Sequence, residues 1–259
     1  MPAAKWAELH VDTSLAGKVA LVTGGSRGLG REICTQLAAA GCDIVVASRK
    51  LPACERAAAE IAAVSGRRAL GIACHVGSWD DCARLVAATY DAFGRLDVLI
   101  NNAGVAPASL ELETMTEELF DKIIAVNLKG PFRLSALVGR RMQAQGGGVI
   151  VNISSSAATH PLPAAIAYSM AKGAVNTMTK ALAALLGPSV RVNCVQPWGI
   201  VTDMSKHIPV AQIERLASTH AIRRFARPEE VASAVVFLAG GASSFTTGAV
   251  LRVDGGMPG

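Results

Sequence analysis

The stretch KVALVTGGSRGLGREI, residues 18–33, is an apolar run that ends in a glycine-rich turn and passes directly into a helical pattern. Its first part, KVALVTG (18–24), lacks polar alternation, as expected of a strand covered on both faces of a parallel sheet. Gly24, Gly28 and Gly30 then follow a G-x-x-x-G-x-G spacing rather than the G-x-G-x-x-G fingerprint. A turn of this kind lets backbone approach a pyrophosphate and sets that anion at the start of the next helix. Ser26, Arg27 and Leu29 fill the loop. A glycine-rich turn without a ligand is the competing reading, and the strand-to-helix junction favours the phosphate.

Outward from this unit the same alternation repeats. CDIVVAS (42–48), ALGIAC (69–74), LDVLINN (96–102), GVIVNIS (148–154), VRVNCVQP (190–197) and AVLRVDGG (249–256) read as further strands. Alanine-rich helical stretches such as REICTQLAAAG and DDCARLVAATYDAFG lie between them, with glycine at or near their ends as stops. Alternating elements with short loops predict a single-domain α/β fold, a doubly wound, seven-stranded parallel sheet of Rossmann type. The domain is expected to span 15–259 behind an N-terminal extension, 1–14.

The second strand ends VVASRK, where NAD-preferring enzymes place an acid against the ribose 2′-hydroxyl. Ser48, Arg49 and Lys50 stand there instead, and Arg27 is within reach of the same position. A hydroxyl and positive charge suit a 2′-phosphate, so the expected cofactor is NADP(H). A solvated basic loop end is the alternative.

Of 259 residues, 51% are hydrophobic and 17% charged, which excludes a disordered chain. No apolar run is long enough to span a bilayer, and the start has no signal-peptide layout, so a soluble, cytoplasmic protein without a membrane partner is expected. The net charge of +5 is scattered rather than gathered, which argues against a nucleic-acid partner. An acidic ligand or carrier protein stays open. The six cysteines form no C-x-x-C and have no histidine at ligand spacing; no metal is expected, and they read as buried reduced thiols.

One of only two tyrosines lies in AYSMAKGAV (167–175), one helical turn before a lysine. On a helix, Tyr168 and Lys172 share a face, and an ammonium beside a phenol is expected to lower the tyrosine's pKa. By themselves these residues are equally readable as an ordinary helix face.

Taken together, TGGSRGLG (23–30), NNAG (101–104), Asn127 in VNLKG, Ser155 in ISSSA, YSMAK (168–172), QPWGIVTDM (196–204) and the closing RPEEVASAVVFLAG…TTGAVLRVDGG resemble the short-chain dehydrogenase/reductase family. The match runs over roughly 15–256, in the family's order. The resemblance implies Tyr168 as general acid or base, Lys172 on the nicotinamide ribose, and Ser155 on the substrate oxygen. Only the family spacing selects Ser155 from three consecutive serines. Asn127 would hold a water in a proton relay. Pro131, one turn on, has no N–H to give the Asn127 carbonyl, which leaves that carbonyl open to a water or marks a proline kink capped by the asparagine.

The resemblance also places Val76, Asn102, Ala103 and Gly104 toward the adenosine side, and Pro197, Gly199, Ile200 and Thr202 toward the nicotinamide. Asn101 reads equally as structural or ligand-binding. Two departures stand out. Trp198 occupies a usual glycine position in P-G-x-I, where its ring either narrows the pocket or turns outward; His75 stands where an aspartate commonly meets adenine, and a solvent-facing histidine is the alternative. The segment near 203–222 is expected to form a substrate lid, with Arg223, Arg224 and Arg227 as a greeting surface for an acidic carrier or a coenzyme A thioester, or as a solvated face.

The implied substrate is a small-molecule carbonyl or alcohol, with 3-oxoacyl thioesters first and polyols or sugars next. A catalytically silent NADP(H)-binding sensor, and epimerisation or dehydration with bound cofactor, are the other classes. Relatives commonly self-associate by pairing two long helices, here about 116–145 and 167–186, so a homotetramer or homodimer is expected.

Overall fold

The computed structural model describes residues 14–107, 112–202 and 209–258. Most of the expected N-terminal extension and the 203–208 part of the expected lid therefore lie outside the described residues. The seven expected strands are present within their expected bounds: β1 (Val19–Thr23), β2 (Asp43–Ser48), β3 (Ala69–Ala73), β4 (Val98–Asn101), β5 (Gly148–Ile153), β6 (Val190–Pro197) and β7 (Val250–Val253). They form one sheet in the order β3-β2-β1-β4-β5-β6-β7, every pair parallel.

Each strand feeds both faces, because successive side chains point to opposite sides. Ala20 and Val22 of β1 enter a core with Ile33, Leu37, Val235 and Leu238, from helices α1 (Gly28–Ala39) and α8 (Pro228–Ala239). Val19 and Leu21 enter the opposite core, against α3 (Trp79–Phe93), α5 (Gly130–Ala144) and α6 (Ile166–Leu186). The remaining helices are α2 (Leu51–Ser65), α4 (Glu117–Ile124) and α7 (Val210–Ala217). Gly66 and Gly94 end α2 and α3 in the left-handed conformation, as the glycine stops predict. No described helix is long and apolar enough to cross a membrane, and all six cysteines are buried and free.

Strand order reverses between β1 and β4, and the crevice at their carboxyl ends is where such sheets take ligands. Two polar clamps hold that crevice open. The Thr23 hydroxyl accepts from the backbone N–H groups of Asn102 (3.0 Å) and Ala103 (3.1 Å), while the Asn102 amide donates to the Thr23 carbonyl at 2.9 Å. Deeper in, the Asn101 amide donates to Asn152 Oδ1 at 2.8 Å and Asn152 donates to Thr179 at 2.9 Å, tying β4 and β5 to α6. Asn101 is structural, its amide spent inside the sheet. Its Oδ1 is buried without a partner among the described residues.

The expected helix over about 116–145 is α4 and α5 joined through a π-helical turn, Ala125–Lys129. The cause lies in Pro131: without an N–H it cannot close the α-helical bond to Asn127, and the turn widens just before it. Gly130 then packs so closely that a Cβ there would sit 2.3 Å from the Val76 carbonyl oxygen. In an open helix Gly→Ala gains up to about 1 kcal/mol. At this position Gly130→Ala is expected to reverse sign and cost about 1–3 kcal/mol, read from urea unfolding midpoints.

Candidate active site

The crevice at the β1/β4 reversal is a cavity of about 270 Å³. Its walls include Gly24, Ser26, Arg27, Gly28, Leu29, Gly30, Ser48, Arg49, His75, Val76, Asn102, Ala103, Gly104, Tyr168, Lys172, Pro197, Ile200 and Thr202 from the sequence expectation. Lys50, Asn127, Ser155 and Gly199 stand outside the walls. Cys74, Val105, Lys122, Val126, Ile153 and Ser154 line it unforeseen. Several of these adjoin expected residues in sequence, whereas Lys122 and Val126 come in from the α4 face one turn apart, which no local motif announces.

At the glycine loop, Gly24 and Gly28 hold φ +67° and +54°, and a Cβ on Gly30 would lie 2.3 Å from the Gly24 carbonyl oxygen. Backbone, not side chain, shapes this end. Helix α1 begins there with no acidic residue in its first turn and no side-chain cap, so its N-terminal N–H groups face the crevice unneutralised. Ser26 donates to Ser48 at 3.0 Å, closing the loop onto the end of β2. Arg27 and Arg49 are exposed, and their guanidinium groups are paired with no described residue. Among the described residues the cavity wall carries Arg27, Arg49, Lys122 and Lys172 and no carboxylate. These donors fit the phosphates of a dinucleotide.

At the opposite end, α6 carries the tyrosine and lysine. Lys172 is buried, its Nζ donating to the Ile153 carbonyl at 2.8 Å and lying 5.6 Å from the Tyr168 ring centre. Burial lowers its pKa to about 8. Tyr168 moves opposite to the sequence expectation: burial raises its pKa, and a hydrogen bond with the Ser155 hydroxyl works against that rise. Desolvation of the phenolate outweighs that hydrogen bond. The three consecutive serines are placed differently. Ser154 is buried and donates to the Lys172 carbonyl at 3.2 Å, Ser156 is buried, and Ser155 meets Tyr168.

Asn127 sits fully buried in the π turn, its amide donating to the carbonyls of Ile123 (2.9 Å) and Val105 (2.8 Å), while its Oδ1 accepts from the Val105 N–H at 3.2 Å. The asparagine thus sews the helix break to the NNAG loop. A Cβ on Gly104 would come within 3.0 Å of Asn127 Oδ1 and 3.7 Å of Lys172 Nζ, so this glycine keeps the loop against both. Trp198 turns away from the cavity onto His220 and Phe225, and His75 is exposed at the cavity rim. Of the lid arginines, Arg224 is spent on Glu230 through 2.7 and 2.6 Å bonds, and Arg227 lies 3.8 Å from the same carboxylate.

The family model for enoyl-(acyl carrier protein) reductase matches residues 24–258. A short chain dehydrogenase/reductase of Aspergillus oryzae is 38% identical over 94% of this chain and 96% of its own. The chain belongs to the short-chain dehydrogenase/reductase family. A 3-oxoacyl-[acyl-carrier-protein] reductase of Synechocystis is also 38% identical, over 95% of this chain and 98% of its own. The structure of L-sorbose reductase from Gluconobacter frateurii, complexed with NADPH and L-sorbose, superposes with a TM-score of 0.89 at 30% identity, covering 95% of this chain and 98% of that one. The family is one of oxidoreductases, and NADPH and a sugar are the ligands of the sorbose reductase structure.

The buried lysine carries a sign that can be measured. Its folded pKa lies below the ordinary lysine value, so its protonated form is disfavoured by folding; the cost is full below about 8 and is relieved as pH rises toward the ordinary value of 10.5. Stability of the parent relative to Lys172→Met is therefore expected to rise between pH 8 and 10.5, checked by urea unfolding of both chains across that window.

Proposed function

We propose that the protein is an NADP(H)-dependent reductase that converts a carbonyl to a secondary alcohol, or runs the reverse, with 3-oxoacyl thioesters as the leading substrate class. The observation that carries the reading is the meeting of Tyr168, Ser155 and buried Lys172 at one end of a cleft whose other end offers a helix N-terminus and two unpaired arginines. The bound cofactor supplies or accepts the hydride. Tyr168 delivers a proton to the substrate oxygen, or removes it in oxidation, and the Ser155 hydroxyl holds that oxygen in place. Lys172 spends one N–H on Ile153, and its remaining donors would hold the nicotinamide ribose hydroxyls of a bound cofactor. Asn127 holds the far end of the relay, where the carbonyl that Pro131 leaves unbonded takes a water.

Preference for NADP(H) is supported by Ser48 and Arg49 at the end of β2, where no acid stands, and by Arg27 across from them. For substrate class, the 3-oxoacyl reductase relative supports a thioester, while the sorbose reductase structure supports a polyol or sugar as second reading. The lid gives the thioester less help than its arginine count suggests, since Arg224 is already paired with Glu230. The same reading takes the protein as a cytoplasmic homotetramer or homodimer built on the α4–α5 and α6 faces.

Tyr168→Phe is expected to lower turnover by more than about 100-fold while NADPH affinity stays within about threefold, measured by steady-state kinetics and cofactor titration. Equal loss of cofactor affinity would remove the assigned role. A screen of NADPH against NADH with 3-oxoacyl thioesters, ketones and keto-sugars is expected to favour NADPH. Arg49→Glu is expected to cut the NADPH-to-NADH ratio of kcat/KM by about tenfold or more. Cofactor binding without oxidation across the whole panel would favour the silent sensor. Gel filtration is expected to give a multiple of the chain mass, and a monomer would end the oligomer reading.

A further inference from the structure

Helix α7 is amphipathic but nearly unburied: Ala217 is its one buried residue, and Val210 and Leu216 are 70% and 37% exposed. Packing along its length therefore cannot fix where it sits. Its anchor lies just past its C-terminal end, at His220. The Thr219 hydroxyl donates to the Leu216 carbonyl at 2.8 Å, and His220 Nδ1 lies 3.1 Å from that oxygen and 3.0 Å from the Thr219 hydroxyl. With the Thr219 hydrogen already directed at Leu216, Nδ1 carries its own hydrogen and caps the last turn of α7. Nε2 is left a bare acceptor, buried without a partner among the described residues.

The face of this imidazole lies on Trp198, with ring centres 3.4 Å apart and planes 22° from parallel. Phe225 meets the other side of the corner edge-on at 5.0 Å. Trp198 belongs to the loop that leaves β6 for the cavity-lining Ile200 and Thr202. That loop is fixed by backbone: Trp198 N–H donates to Val253 at 3.3 Å, Ala226 to Gly199 at 2.8 Å and Val201 to Ala226 at 3.0 Å. The indole thus reaches from a rigid strand end to the turn that closes α7, a turn also tied by backbone where Ala221 N–H donates to Gly256 at 3.3 Å and Ile222 N–H to Gly255 at 2.8 Å. A glycine at this position would leave the imidazole with no surface to lie on.

We propose that Trp198, through His220, is a positioning residue that holds α7 beside the loop that carries the cavity-lining Ile200 and Thr202. The proposal rests on the reductase reading above for its kinetic part only. Trp198 touches neither reacting atoms nor the cavity, so its effect falls on substrate binding through α7. The stack on Trp198, not the local Nδ1 bond to Leu216, supplies the hold.

The test uses the full chain with Trp198→Gly, Trp198→Phe and His220→Phe. Amide exchange of residues 210–217, which needs no turnover, is expected to quicken about tenfold in Trp198→Gly while the strands keep their protection. Trp198→Phe and His220→Phe, which keep a ring in the stack, are expected to stay within about threefold of the parent. In kinetics, Trp198→Gly is expected to raise the carbonyl substrate KM about tenfold, with kcat and NADPH affinity within about threefold. Unchanged exchange over 210–217 in Trp198→Gly overturns the proposal. So does equal loss of protection in the strands, which makes Trp198 a general stabiliser, or an NADPH affinity that falls with the substrate KM. A parent chain that reduces no carbonyl defeats the reductase reading alone, and the exchange arm still decides on Trp198.

Discussion

A positive charge buried without a counter-ion governs this site. Lys172 is held in the interior by one carbonyl, that of Ile153 at the end of β5, and among the described residues no carboxylate lines the cavity beside it. Burial of an ammonium is costly, and the lowered pKa of the lysine is the form that cost takes. The surrounding structure is arranged to make it tolerable. Ser154 grips the lysine's own carbonyl, α6 lies along β6, and the Asn101–Asn152–Thr179 ladder fixes the helix against the sheet below it.

The two ends of the crevice are built from different materials. At the glycine loop, close backbone contacts leave N–H groups as the chief donors, and positive charge stands in solvent on Arg27 and Arg49. At the tyrosine, Lys172 is buried, Tyr168 is half-buried at the cavity wall, and charge is internal. The rise in the Tyr168 pKa belongs to this end, where burial outweighs the hydroxyl of Ser155.

Much of the fold was legible because a parallel sheet covered on both faces writes each strand as an unbroken apolar run. All seven runs could be placed from KVALVTG onward, and glycine stops at 66 and 94 marked helix ends through a backbone conformation other residues avoid. What stayed hidden depends on partners far apart in the chain. Asn101 could not be assigned until Asn152 and Ser135 stood beside it. Lys122, late in α4, and Val126, in the π turn, reach the cleft from a junction that no local motif announces. The sign of the Tyr168 shift was misjudged because local spacing reports the neighbouring ammonium and is silent about burial. Trp198 was visible as a departure from its family, but its direction waited on His220, which lies beyond the next helix.

The π turn at Ala125–Lys129 also acts as a phase adjuster. Carrying one residue more than an α-helical turn, it shifts everything that follows by about 100° around the axis. With that offset, Asn127 faces the NNAG loop while Leu134, Val138 and Met142 still bury themselves against the sheet. Excising one residue to regularise the helix would swing that apolar stripe off the sheet or carry the asparagine out of reach of Val105. The irregularity lets a single helix serve two masters, a polar tie to the NNAG loop at its head and a hydrophobic core along its body.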